Sequence, residues 1–417
     1  GSPAPPVPFL CPPAPARPAP APVDARVASH VRNRHSSAHV RQMIAVAGAH
    51  MCSPRRRAKH HPDVLPPPPP SDGCGASSYG DGCGTRRPRC APHHGRMTWR
   101  DDPPLTDLRR RRDEPFDRLD ERRLRREIEA GIVVRAAPGV FVEATRWRDL
   151  TPIARHAQRV WEASVRVAAG TVFSHHAAAA LHGIDTLGEW PAWLDASVEA
   201  DAGGRSTGLM RRHTRAMAEV ELLPWGDCFV TSPAQTAVDL AASGPFLQGV
   251  TAIDQAIWSG RPGGALATLA QVRERVAARR RRGLARIHRA VAFARDGAAN
   301  VRESQSRVLI AELGFPPPAI QHRIRLADGA LYIADFFWPQ HDHIGEFDGL
   351  GKYFTRARET GRTPLQSLAA EKDREDALRR LVSGFSRWRT GDLDDPRRLY
   401  DILRGAGLPT SRPRPLG

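Results

Sequence analysis

The sequence predicts a multidomain chain that mixes the α+β and α/β classes, and three observations carry that expectation. Half of the 38 prolines fall in residues 1–100, which separates a non-folding segment from the rest. A helix followed by a strand pair is written into residues 105–142. Residues 299–417 then change period in the order α-β-β-β-α-β-α. The 417 residues, 41% hydrophobic and only 6% aromatic, suit two or three modest domains better than one large core.

Composition excludes several function classes. No window approaches 18 uncharged apolar residues and the opening segment lacks a signal-peptide core, so neither a membrane span nor secretion is expected, and a cytoplasmic location is. Six cysteines are too few for a disulfide framework. Five of them (Cys11, Cys52, Cys74, Cys83 and Cys90) sit at spacings that no zinc motif uses, which leaves Cys228 in foldable sequence. The net charge of +17 divides into about +10 for residues 1–100 and about +7 for the remainder. Nucleic acid is the expected partner for such a surplus, because each neutralised phosphate releases counterions. Arginine-rich composition alone produces the same excess.

The elements follow in order. Residues 1–100 read as a disordered Pro/Arg-rich tail, and Met97, just before the first globular sequence, is the expected natural start. Residues 101–150 form the second unit. In 119–142, Leu124 and Ile128 stand one helical turn apart and Gly131 supplies a C-terminal cap. Strands at 132–135 and 140–142 flank a turn at Pro138-Gly139. This is a helix followed by a β-wing, the arrangement of a winged helix-turn-helix. Arg122, Arg123, Arg125 and Arg126 on the helix and Arg135 on the wing are the candidate DNA-binding residues, placed to meet phosphates at a major groove. A solvated charged face is the bland alternative.

Residues 151–265 read as a mixed α/β domain with helices at 155–169, 174–183 and 232–242 and a strand at 196–200. Ser174, His175, His176, His182 and Asp239 supply the residue types of a hydrolase triad. No nucleophile elbow accompanies them, and Ser174 before a helix reads as a cap. Residues 266–298 are a basic helical connector with Val272, Val276, Ile287 and Val291 at partial helical period and a cationic run from Arg279 to Arg282.

The chemistry is concentrated in residues 299–417. A helix over 303–314 turns Val308, Leu309 and Leu313 inward and is closed by Gly314 and Pro316 to Pro318. Two strands within 322–338 join at Asp328-Gly329, the dipeptide of a tight primed turn. A third strand follows at 343–349, then a helix at 365–381, a strand at 385–389 and a last helix. Asp335 and Glu346 lie inside apolar strands, where an unpartnered carboxylate is costly. Strand alternation puts Asp348 about 7 Å from Glu346 on one face. The expected catalytic and metal-binding acids are therefore Asp335, Glu346 and Asp348, with Glu303 adding an oxygen through a water. These hard donors suit Mg²⁺ (or Mn²⁺) held by one or two carboxylates, waters and substrate phosphate. Only three lysines, Lys59, Lys352 and Lys372, stand among 62 basic residues. Lys352, just past the third strand, is placed to orient a water or to stabilise phosphate charge. Arg374 and Arg387 are further candidates for DNA contact. Trp388 offers a stacking face, although a core position is the simpler reading.

Two resemblances join these readings. Gly139 to Val142, the FSHHAAAALHG run at Phe173 to Gly183 and the TSPAQTAVDLA run at Thr231 to Ala241 are similar to AbiEi-type antitoxins of actinobacterial type IV toxin–antitoxin systems. That resemblance implies a winged helix-turn-helix used in transcriptional autoregulation, and a cognate toxin as a possible partner. The stretches ESQSR at Glu303, ADFFWP at Ala334, GEFDGLGKY at Gly345, EKDREDALRRL at Glu371 and FSRWRTGDL at Phe385 resemble the PD-(D/E)xK nuclease superfamily, in its branch related to very-short-patch-repair endonucleases. That resemblance implies a restriction-endonuclease-like α-β-β-β-α-β core and metal-dependent DNA cleavage, with RNA as a further possible substrate. Asp335 matches the strand aspartate of the motif and Glu346 its second acid. Position 348 is Asp where the superfamily has lysine, and Lys352 is the residue that the resemblance offers for the displaced charge.

Overall fold

The structure is a computed structural model that describes residues 98–113, 118–201, 206, 208–279, 284–325, 329, 331–348, 372 and 375–416. The proline-rich tail, apart from residues 98–100, lies outside the described residues, as do Lys352 and Arg374. The fold is mixed α and β, with three sheets among the described residues. Among the described residues no helix is long and apolar enough to cross a membrane.

The first sheet is small. Strand β1 (Arg109–Arg110) is followed by α1 (Arg118–Glu129), β2 (Val133–Ala137), β3 (Val140–Glu143) and α2 (Ala144–Asp149). The strands lie in the order β1-β3-β2, all antiparallel. Ahead of α1 the described residues are bends and a turn around the two-residue β1, with no helix among them. Leu124 is the one buried residue of α1, covered by Val133 and Phe141. Ile128 remains 41% exposed, contrary to the expected stripe. The cause is local: Gly131 at φ +66° ends the helix and turns β2 across Leu124, so Ile128 is left at the rim.

The middle region contains α3 (Pro152–Ser164), β4 (Val172–Phe173), α4 (His175–His182), β5 (Leu194–Glu199), β6 (Met210–Arg215), β7 (Leu222–Trp225), β8 (Cys228–Thr231), α5 (Pro233–Ser243) and α6 (Phe246–Ile257). Its five strands are ordered β6-β5-β4-β8-β7, with β4 parallel to β8 and β5 parallel to β6. Ser232 caps α5, its Oγ accepting from the Gln235 N–H at 3.2 Å ahead of Pro233 at the first turn. The basic connector is part of this body. Val272 and Val276 of α7 (Leu269–Ala277) and Ile287 and Val291 of α8 (Leu284–Phe293) are buried with Val250, Ile253 and Leu240.

The last region begins with α9 (Val301–Glu312) and continues through β9 (Ala319–Arg325), β10 (Leu331–Trp338), β11 (His343–Phe347), β12 (Gly384–Trp388), α10 (Thr390–Asp394) and α11 (Pro396–Gly405). The sheet order is β12-β11-β10-β9, antiparallel except for the parallel β11–β12 pair. Of the helix expected at 365–381, residues 372 and 375–379 are described and helical. One face of the sheet buries Phe336, Trp338, Phe347 and Trp388 against α9 and α11. The other face packs Tyr332, Ala334, Ile344 and Phe337 around Leu378. Tyr332 and Ala334 thus share a face with Phe337 and not with Phe336, so side-chain alternation slips by one residue at Asp335. On β9 the slip falls at Gln321, whose φ of +51° is left-handed. Ile320 packs on the first face and Ile324 on the second.

Candidate functional site

The slip shapes the site. The β10–β11 ladder is regular from Trp338↔His343 to Phe336↔Gly345 and then stops, although both strands continue. The next residues across are Asp335 and Glu346, and their carboxylates replace the missing ladder. Glu346 Oε1 accepts from the Asp335 N–H at 3.3 Å, and Asp335 Oδ2 accepts from the Phe347 N–H at 3.0 Å. The structure therefore brings Asp335 and Glu346 together, at the point where the two strands part. Asp335 is buried and Glu346 half-buried.

Close packing beneath Glu346 fixes its position. A Cβ on Gly345 would lie 2.7 Å from Trp388 Cη2 and 2.9 Å from Trp338 Cζ3, so only glycine fits between the two indoles. Trp388 is fully buried and donates from Nε1 to Ser306 Oγ on α9 at 2.9 Å. It is core, the simpler of the two readings that the sequence offered.

Glu303 reaches the same neighbourhood from α9. Its Oε2 accepts from the Ala299 N–H at 2.8 Å and its Oε1 from Asn300 Nδ2 at 2.6 Å, while Asn300 Oδ1 accepts from the Glu303 N–H at 3.0 Å. This reciprocal cap ties the carboxylate to the start of the helix. Gln321 Nε2 also donates to Glu303 Oε2, at 3.4 Å. Gln321 stands between residues of β9 that pair with Ala334 and Phe336, and so opposite Asp335. Neither Gln321 nor Asn300 carries a motif signal. The sequence gives no hint of the slip, since Ile320 and Ile324, four residues apart, share a face in a regular strand and are put on opposite faces only by the left-handed Gln321.

Asp348 and the arginines are placed differently. Asp348 Oδ2 accepts from Arg389 Nε at 3.2 Å, and the Asp348 N–H bonds the Trp388 carbonyl at 2.8 Å. Arg387 pairs with Glu346 in the β11–β12 register and its Nη1 lies 2.8 Å from Glu375 Oε2. Arg122, Arg125, Arg126 and Arg135 are exposed, 200 residues and more before Asp335 in sequence, while Arg123 is held by Glu127 at 3.0 Å. The hydrolase-type residues do not assemble a triad. Asp239 is clasped by Arg215 at 2.7 Å, and Ser174 Oγ meets its own neighbour His175 Nδ1 at 3.0 Å without capping the helix. Buried Asp195 instead binds His213 at 2.7 Å and His176 at 3.2 Å. Burial raises its affinity for a proton, but these two donors hold it well below the usual carboxylate range.

Two hard-oxygen carboxylates from adjoining strands fit a magnesium-type ion, which takes one or two protein carboxylates and completes its shell with water and phosphate. Among the described residues no group of three or more His, Cys, Asp or Glu side chains is assembled to hold a metal. Asp335 and Glu346 are thus the two acids that the backbone pre-positions.

No family model matches the chain. Two curated proteins of Mycobacterium tuberculosis are similar to it: uncharacterized protein MT2308 of strain CDC 1551 / Oshkosh and uncharacterized protein Rv2248 of strain ATCC 25618 / H37Rv. Each is 28% identical over 177 residues, which is 42% of this chain and 60% of the relative's own length.

Proposed function

We propose that the C-terminal region is a metal-dependent DNA endonuclease of the PD-(D/E)xK type, carried behind an antitoxin-like DNA-binding region. The observation that carries this reading is the facing pair Asp335 and Glu346, each bonded to the other strand's backbone where the ladder opens. The α9-β9-β10-β11-helix-β12 order with a parallel β11–β12 pair supports it, being the order a restriction-endonuclease-like core requires. The β1-β3-β2 sheet with α1 before the β2–β3 hairpin likewise supports a winged helix, whose exposed Arg122, Arg125, Arg126 and Arg135 would follow phosphates.

Asp335 and Glu346 would hold Mg²⁺ or Mn²⁺, and Asp348 would join them once released from Arg389. A bound divalent ion neutralises phosphate charge and acidifies a water. The chain's own residues do the rest. Glu303 fixes the start of α9 and, through Gln321, the strand opposite Asp335. Lys352 would orient the attacking water, and Arg374 and Arg387 would contact the substrate backbone.

The test is nicking of supercoiled plasmid with Mg²⁺ or Mn²⁺ and with EDTA, using Asp335→Asn and Glu346→Gln. Metal-dependent nicking lost in both variants supports the proposal; equal rates in wild type and variants remove it. One observation favours a second reading, a non-catalytic antitoxin or transcriptional regulator with a cognate toxin: Asp348, at the motif's lysine position, is ion-paired to Arg389. Divalent-ion binding by calorimetry that disappears in Glu346→Gln speaks for the nuclease, since a repressor has no need of it.

A further inference from the structure

The β9–β10 hairpin carries a row of side chains that no internal contact explains. In the β9–β10 register, Leu331 pairs with Arg325 and Ile333 with Arg323. Cross-strand partners share a face, so these four side chains form one strip. It is open to solvent: Leu331 is 54% and Ile333 44% exposed, and both arginines are exposed. Among the described residues Arg323 makes no ion pair, and Arg325 has only the Gly329 carbonyl, at 3.4 Å. By contrast Arg387, on β12 of the same sheet, and Arg379 are held by Glu375, and Arg389, just past β12, is held by Asp348. The strip ends at Gln321 and Asp335, where the alternation slips.

We infer that this strip is a track for one nucleic-acid strand leading to the Asp335–Glu346 pair. Two arginines two residues apart on a strand stand about 6.6 Å from each other, a separation that successive phosphates of one extended strand can match. Leu331 and Ile333 on β10, one strand in from the edge strand β9 that carries the cations, offer apolar surface to the sugars. An acidic protein would find the same two charges but would leave the leucine and isoleucine strip without a reason to continue to the carboxylates. The inference rests on the proposed nuclease reading, deepening it by naming the substrate strand's path.

Binding of dye-labelled single-stranded and duplex oligonucleotides to the full chain, in EDTA so that no cleavage occurs, tests it by fluorescence anisotropy across a salt series. Arg323→Ala/Arg325→Ala should weaken binding to all sequences alike. It should also lower the slope of log affinity against log salt by about 0.7 to 0.9 per residue. The affinity lost between about 50 and 200 mM salt should accordingly shrink by about tenfold. Leu331→Ser/Ile333→Ser should weaken binding and leave the slope unchanged. Unchanged affinity and slope in the arginine variant, with far-UV dichroism and melting as in wild type, overturn the track. A self-association, seen in sedimentation, that the arginine variant abolishes while oligonucleotide binding is untouched makes the strip an interface between copies and also overturns it. The two readings fail separately. Plasmid nicking intact with no salt effect removes the track alone, whereas the predicted slope change without any metal-dependent nicking keeps the track and removes the nuclease.

Discussion

Removing Asp254 should unhitch α9 from the middle region. This carboxylate sits on α6 with no solvent exposure. Its Oδ2 accepts from Arg307 Nη2 and from Ser304 Oγ, both on α9 and both at 2.8 Å, and its Oδ1 accepts from the Arg295 N–H at 2.8 Å. Burial pushes the carboxyl up to about 6 against the pull of Arg307, so the ionised pair is bound at a net desolvation cost. Such a pair adds little stability as a unit, but breaking it is another matter. With Asp254→Ala, the Arg307 guanidinium, only 7% exposed, keeps its charge and loses its counter-ion. The expected loss is about 3–5 kcal/mol at pH 7. Urea unfolding followed by tryptophan fluorescence measures it. The cycle of Asp254→Ala, Arg307→Met and the double variant should show a coupling of about 1–3 kcal/mol, because the second change removes the stranded charge. A single-variant loss under about 1 kcal/mol, or additive changes in the cycle, would refute the reasoning.

Other expectations follow from the same geometry. Gly345→Ala drives a methyl into Trp388 and Trp338, at 2.7 and 2.9 Å, and should cost about 1–3 kcal/mol in urea unfolding, with divalent-ion affinity falling too as Glu346 is displaced. Acid should destabilise the fold before carboxylate titration does. Burial lowers His156 to about 3 and His175, His182 and His343 to about 4, from 6.5 in an exposed imidazole. A depressed folded value means the contribution is whole above 6.5 and is lost as pH falls toward 4, or toward 3 for His156, with a ceiling of about 3 kcal/mol for each of the other three imidazoles and about 5 kcal/mol for His156. Asp254 and Asp185, both raised by burial, run the other way, but they are two groups against four. A melting temperature that stays level between pH 6.5 and 4 would contradict this balance.

Much of this was legible because it rests on local chemistry. Gly131 and Ser232 marked helix ends through backbone and capping preferences, and the apolar runs around Asp335 and Glu346 marked β10 and β11 to within a residue or two. What escaped had no local signature. Two-residue β1 and β4 exist only because a neighbouring strand pairs with them. The connector reads as a basic helix because its arginines dominate the composition, yet Val272, Val276, Ile287 and Val291 bury one face of each of its two helices in the middle core. Alternation slips where the β10–β11 ladder stops at Phe336↔Gly345, while Asp348, one residue past β11, keeps its N–H on the Trp388 carbonyl and its carboxylate on Arg389. Period predicts a face only while the ladder lasts.

The end of that ladder explains why two acids tolerate a largely buried position. Once β10 and β11 part, the N–H groups of Asp335 and Phe347 lose cross-strand carbonyls, and an unmet buried donor costs about 1–3 kcal/mol. Glu346 and Asp335 meet those donors, which gives the pair a structural role beside any chemical one. The two roles separate by substitution. Asp335→Asn keeps an oxygen that can accept from the Phe347 N–H, so stability should change by less than about 1 kcal/mol, whereas Asp335→Ala strands the donor and should cost about 1–3 kcal/mol. If the acid is there for chemistry, both variants lose metal-dependent nicking while only the alanine variant loses stability. Should Asp335→Asn nick plasmid as wild type does while Asp335→Ala merely unfolds more easily, the carboxylate is a strand-end cap and its charge has no catalytic use.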